Sequence, residues 1–128
     1  MTYSSFIRLL HVLSSSFLLL VFIVLSPSFA QSKQTIEHGK KLFEEQGCAT
    51  CHGSDFKGTQ LGPPLARLKK TWKRQELLPY LKNPEQYAEK NPRLKKLASN
   101  YSMMKMPGFD FLKPTELQAI MDFLFTLK

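Results

Sequence analysis

The sequence predicts an all-α domain, and three observations carry that prediction. From residue 31 onward there is no Val and only two Ile, Ile36 and Ile120, while Leu, Lys and Glu are plentiful. β-branched residues favour strands and unbranched Leu, Lys, Glu and Gln favour helices. Apolar residues recur at helical spacing near both ends of this region, at Ile36, Leu42 and Phe43 and again at Leu117, Ile120, Met121 and Leu124, and Pro and Gly fall in the connections.

The first helix is expected to start near Thr35, which can cap it, with Ile36, Gly39, Leu42 and Phe43 on one face. Gly inside a helix costs about 1 kcal/mol relative to Ala, so Gly39 points to a close helix crossing. In the middle, Leu77, Leu78 and Leu81 indicate a helix kinked or shortened by Pro79 and ended by Asn83-Pro84. Asn91-Pro92 can start another, with Leu94, Leu97 and Ala98 on one face. For the last helix Pro114 suits a first helical position, and Thr115 with Gln118 offers an alternative capping box. Met121 on that helix reads as ordinary core.

Composition changes near residue 30. Residues 1–30 hold 19 hydrophobic residues, no Asp or Glu, and Arg8 as their one Lys or Arg. The apolar run Phe17 to Leu25 is followed by Ser26-Pro27-Ser28-Phe29-Ala30, where Pro breaks a helix and small residues suit a signal peptidase. This predicts a secretory signal peptide over 1–30, cleaved before Gln31, and a single domain over 31–128. The alternative, an uncleaved anchor, meets an obstacle. His11 and Ser14-Ser15-Ser16 interrupt the apolar stretch and leave it short of the roughly 20 residues a bilayer needs. No stable membrane insertion is expected after cleavage. The 98 residues that follow hold 36 apolar ones, a thin core that a disulfide, metal or cofactor would supplement.

Cys48 and Cys51 are the only cysteines and stand in Cys48-Ala49-Thr50-Cys51-His52. C-x-x-C-H is the attachment motif of c-type haem. Two thiols three positions apart on one turn can add to the two vinyl groups of a porphyrin, and the adjacent His can present its imidazole to the iron. A thioredoxin-like dithiol would expect strands around it, and a zinc site would need more ligands than His38 and His52 supply. A plain disulfide remains the simplest alternative. For the opposite side of the iron, Met103-Met104-Lys105-Met106-Pro107 places three thioethers ahead of a Pro. Pro biases the preceding residue to an extended conformation, which helps a loop present Met106, with Met103 and Met104 next in line.

These residues carry a resemblance to the class I c-type cytochromes, the monohaem cytochrome c family, spanning nearly all of Thr35 to Lys128. Gly39-Lys40-Lys41-Leu42-Phe43 and Gly47-Cys48-Ala49-Thr50-Cys51-His52-Gly53 resemble the family's first helix and attachment turn. Gly62-Pro63-Pro64-Leu65 resembles its Gly-Pro-x-Leu loop, Met106-Pro107 its distal loop, and Phe123-Leu124 the pair in its last helix. The resemblance implies a cytochrome c-like fold of about four to five short helices around one covalently bound haem c, anchored by Cys48 and Cys51. It implies His52 and Met106 as iron ligands, a Pro63 carbonyl that accepts a hydrogen bond from His52, and Leu65 packed on the haem face. It also implies a crossing of the first and last helices, with Phe123 or Leu127 near Gly39 and Phe43. Trp72 and Tyr101 are candidates for propionate contacts, core packing being the ordinary role of each.

Residues 31–128 carry 17 Lys and Arg against 10 Asp and Glu, a formal charge of +7. Nucleic acid would suit that charge, but export argues against it, and the basic residues are scattered. The expected partners are redox proteins with acidic docking surfaces, attracted by a basic surface in which Lys40, Lys41 and Lys105 are candidates. The functional expectation is a monomeric periplasmic electron carrier with both axial positions of the iron filled, hence no enzyme. Two alternatives stand beside it: a haem subunit of a larger periplasmic oxidoreductase, for example of sulfur-oxidising type, and a gas-binding or peroxidatic haem with a labile Met.

Overall fold

A computed structural model describes the backbone from Ser28 and the side chains from Lys33 through to Lys128. The expected signal peptide falls outside the described residues except for its last three positions. The chain divides into two compact units between Lys33 and Gln34, and the side-chain contacts and the site described below lie in the second, residues 34–128. Six α-helices occur in the described residues: α1 Ser28–Glu45, α2 Cys48–His52, α3 Arg74–Lys82, α4 Pro84–Glu89, α5 Pro92–Asn100 and α6 Pro114–Leu124. A 3₁₀ turn spans Leu68–Lys70, and no strand appears among the described residues, as the composition predicts. No helix among them is long and apolar enough to cross a membrane.

The first and last helices cross as closely as Gly39 suggests. A Cβ built there would sit 1.9 Å from the Ala119 carbonyl oxygen and 3.0 Å from Phe123 Cβ, so only a hydrogen fits. Beside that contact the rings of Phe43, Phe56 and Phe123 meet pairwise, with centroids 5.5 to 5.8 Å apart. Phe123 thus occupies the place expected for Phe123 or Leu127, and Met121 is core, 2% exposed.

Two local readings need correction. Helix α1 begins at Ser28, so Thr35 lies inside it and does not cap its start. At the start of α6 the capping contact comes from Glu116, whose Oε2 accepts the Lys113 N–H at 2.8 Å. Gln118 instead donates along its own helix to Asp122 Oδ1 at 3.1 Å, and Arg74 pairs with the same carboxylate, which ties α3 to α6.

The middle of the chain holds one more helix than the sequence disclosed. Asn83-Pro84 ends α3, as expected, and also starts α4: Asn83 Oδ1 accepts the Gln86 N–H at 3.1 Å while Pro84 occupies the first turn. Asn91-Pro92 does the same for α5, with Asn91 Oδ1 receiving the N–H groups of Arg93 and Leu94. Asn satisfies helix N-termini, and Pro at the first position needs no partner for an N–H it lacks. Leu94 anchors α5 in the core with no exposure at all. Pro79 lies within α3 and does not break it.

Candidate functional site

Helix α2 is a single turn, opened by Gly47 in the left-handed region (φ 67°) and closed by Gly53. Residues three apart on such a turn share a face, so Cys48 and Cys51 point the same way. Both are free, half-buried, and border one cavity. Burial pushes the Cys48 thiol up to about 11.

His52 follows directly and is buried at 8% exposure. Its Nδ1 lies 2.8 Å from the Pro63 carbonyl oxygen. Because that partner can only accept, Nδ1 carries the proton and Nε2 keeps a lone pair. Burial lowers the His52 pKa below its usual value, against the opposing effect of the Pro63 carbonyl, and this keeps the imidazole neutral at neutral pH. The loop that supplies Pro63 is clamped onto the same turn. Thr59 Oγ1 donates to the Cys51 carbonyl at 2.6 Å, and a Cβ on Gly62 would lie 3.0 Å from that oxygen, so the loop can approach this closely only with Gly there.

The cavity these residues border has a volume of about 770 Å³, inside the roughly 300–1,000 Å³ range of cofactor clefts. Leu65 and Leu68 from the Pro63 loop and its 3₁₀ turn, Leu81 from α3, and Ile120 and Leu124 from α6 give it apolar walls. On its border lies the methionine loop. Phe109, just beyond Pro107-Gly108, donates its N–H to the Leu81 carbonyl at 3.0 Å, which pins the loop's end to the last turn of α3.

The three methionines have separate places. Met106 is half-buried, packs on the core and borders the cavity. Met104 borders it too but is 49% exposed, with Sδ 3.6 Å from Cys51 Sγ. Met103 is 75% exposed and does not line the cavity. Trp72 and Tyr101 both border it, and Trp72 packs against Tyr80 with centroids 4.9 Å apart. Of the three candidate lysines only Lys105 reaches the cavity rim, where it pairs with Glu85 at 2.5 Å; Lys40 and Lys41 are exposed on α1 away from it.

Sequence reading missed Arg93 and Tyr80. Arg93 stacks 4.7 Å over the Trp72 ring, pairs with Glu76 at 2.5 Å, and lines the cavity. Tyr80 lines it as well, and burial raises its hydroxyl pKa. No sequence pattern links positions 72, 80 and 93; only the folding of α3 against α4 and α5 brings them together. The charged residues at the cavity have both signs, Glu85 and Glu89 beside Arg93, Lys95 and Lys105.

A large apolar cleft, two thiols on one face of a turn, a neutral imidazole with a free lone pair beside them, and a soft thioether on the border fit a covalently attached haem. Comparison with known proteins agrees. The family model described as "Cytochrome c" matches residues 36–128. A cbb3-type cytochrome c oxidase subunit, CcoP, from Helicobacter pylori is 31% identical over 100 residues, covering 77% of this chain and 30% of that subunit. The chain therefore spans less than a third of that relative's length. No solved structure matches. The chain belongs to the cytochrome c family, and its cofactor is covalently bound haem c.

Proposed function

We propose that the chain is an exported monohaem cytochrome that carries single electrons between redox partners in the periplasm, with His52 and Met106 as the axial ligands and Cys48 and Cys51 as the thioether anchors. The observation that carries this reading is one cavity bordered by Cys48, Cys51, His52 and Met106, with His52 Nδ1 already committed to the Pro63 carbonyl.

The bound haem supplies the ferric/ferrous couple. Cys48 and Cys51 fix its position by holding it to one helical turn. The Pro63 carbonyl holds the imidazole plane and raises the basicity of Nε2. The half-buried Met106 offers a neutral thioether, and Leu65 and Leu68 keep water from the faces. His52 and Met106 would both be taken up in holding the iron, and the haem so held would supply one-electron transfer. Residues 1–30 serve as the cleaved export signal, and N-terminal sequencing of the exported protein should begin at Gln31.

The test is the visible spectrum of the haem-loaded protein. A pyridine haemochrome with the corresponding covalent mass increment should report attachment. The weak far-red ferric band of Met ligation should disappear in Met106→Ala and persist in Met103→Ala and Met104→Ala. Persistence of the band in Met106→Ala would overturn the axial assignment.

The match to CcoP favours a second reading, in which the chain works as a haem c subunit of a cytochrome c oxidase assembly. Gel filtration of the native protein separates the two: a free carrier elutes as a single domain of about 100 residues, and a subunit elutes with its complex. In either setting the surface charge, +7 less roughly two for the propionates, favours partners with acidic docking surfaces and gives an encounter rate that falls with salt.

A further inference from the structure

Between Asp55 and Glu76 the chain holds no acidic residue, and five of its Lys and Arg fall within the eight positions 67–74: Arg67, Lys69, Lys70, Lys73 and Arg74. Asp122 answers Arg74. The other four are exposed and make no ion pair among the described residues. Four uncompensated charges on so short a segment are a large share of the +7 that residues 31–128 carry. Elsewhere on the cavity rim acids interleave with the cations, Glu85 pairing with Lys105 and Glu76 with Arg93.

The same segment is a wall of the cavity. In a 3₁₀ turn residues three apart lie one above the other, and the turn Leu68–Lys70 directs Leu68 and Thr71 to the cavity, with Trp72 beside them, while Lys69, Lys70 and Lys73 stay outside. Thr71 is exposed and also lines the cavity, so a single layer of side chain stands between solvent and cofactor there. Both ends of the segment are fixed from outside the cavity. The Arg67 N–H donates to the Leu127 carbonyl at 3.2 Å, and Arg74 pairs with Asp122 of α6 and lies 5.0 Å from the centre of the Phe125 ring. Within the segment the N–H groups of Lys70 and Thr71 donate to the Arg67 and Leu68 carbonyls at 2.9 and 3.0 Å. None of these contacts uses a group that haem attachment consumes, so the charges keep their places in the holoprotein.

We propose that Arg67, Lys69, Lys70 and Lys73 form the docking surface for a redox protein with an acidic patch, and that electrons cross to it at the wall made by Thr71 and Trp72. The proposal rests on the carrier reading above and gives its partner a place. Each productive encounter moves one electron, the haem passing from ferrous to ferric as the partner is reduced by one. A lipid surface fits this segment less well. Basic faces that bind membranes also insert apolar side chains, and the exposed large hydrophobic residues among those described are Met103, Met104 and Phe111, none of them in the segment. Opposite charge across the contact would speed encounter and orient the partner against the cavity wall.

The experiment compares ferrous holoprotein with two triple variants that lose the same charge. One is Lys69→Gln/Lys70→Gln/Lys73→Gln, and the other is Lys40→Gln/Lys41→Gln/Lys90→Gln, whose lysines are exposed and do not line the cavity. The pyridine haemochrome is recorded first, and its absence would remove the carrier reading and the docking surface with it. Oxidation is then followed with ferricyanide, an anionic acceptor, and with tris(phenanthroline)cobalt(III), a cationic one, at an ionic strength of about 0.1 M, where charges beyond about 10 Å are largely screened. The first triple should slow ferricyanide several-fold without slowing the cobalt complex, and the second should leave both rates near wild type. Poly-L-glutamate, standing in for an acidic protein surface, should inhibit ferricyanide oxidation of wild type and of the second triple but not of the first. Equal ferricyanide rates in the two triples would overturn the proposal and leave the carrier reading intact. It would also be overturned if the first triple alone stopped sedimenting with phosphatidylglycerol vesicles yet kept the wild-type ferricyanide rate, which would assign the segment to a lipid surface.

Discussion

Pro63 acts on His52 through its carbonyl, a group that every residue possesses. Pro63→Ala should therefore keep the hydrogen bond, the imidazole orientation and the far-red band. It should lose only the stiffness of the turn, about 0.4–1 kcal/mol, read from a denaturant titration of the holoprotein. The rim pair Glu85–Lys105 behaves differently because both groups titrate. The Lys105 ammonium, by hydrogen bond and charge, holds the Glu85 carboxyl below its usual value, and Glu85 raises Lys105 in return. A carboxylate lowered in the folded state contributes stability above its unfolded pKa and loses it as pH falls through the folded value. Thermal melts between neutral and acid pH should show that loss in wild type and a flatter profile in Glu85→Gln. The difference should be small and should vanish in high salt, since both side chains are exposed.

Among the elements, the α1–α6 crossing is the most demanding. Its separation is set by Gly39, where a methyl group would overlap the Ala119 carbonyl. Gly39→Ala gains about 1 kcal/mol in helix propensity and meets an overpacking cost of about 1–3 kcal/mol or more, so the clash wins. Chemical denaturation should show a lower midpoint despite the better helix former. This crossing was legible from the sequence because a Gly in an amphipathic helix is locally unfavourable and signals a non-local contact. Helix α4 was not legible. Its six residues, Pro84–Glu89, are too few to display a helical period, and Asn83-Pro84 reads as an ending unless Asn is allowed to close one helix and open the next. The start of α1 was misread for a related reason: Thr can cap a helix, but it can also sit inside one when the chain before it continues the helix.

For the whole molecule, the cavity decides stability. Its apolar walls, Leu65, Leu68, Leu81, Ile120 and Leu124, come from the Pro63 loop, α3 and α6, and a haem packed between them would bury their apolar surface as core side chains do. The polypeptide therefore depends on its cofactor as part of the core. A Cys48→Ser/Cys51→Ser protein, unable to anchor haem, should melt at a much lower temperature and with a broader transition than the holoprotein by far-ultraviolet circular dichroism. Retention of a wild-type melt without bound haem would contradict this.

The sequence by itself determined the helical class, the thin core, the C-x-x-C-H turn and the pairing of Gly39 with a second helix, because each is written in residues close together or in a composition that admits few alternatives. Tertiary structure decided what depends on distance in space. It set Arg93 over Trp72, tied Lys105 to Glu85 at a rim of mixed sign, and placed Lys40 and Lys41 away from that rim. It also separated three thioethers that look equivalent in the sequence, turning Met106 to the core, Met104 to Cys51 and Met103 to solvent. Adjacent residues in a loop share composition and chemistry, and only the packing of that loop against α2 and α3 gives each a different neighbour.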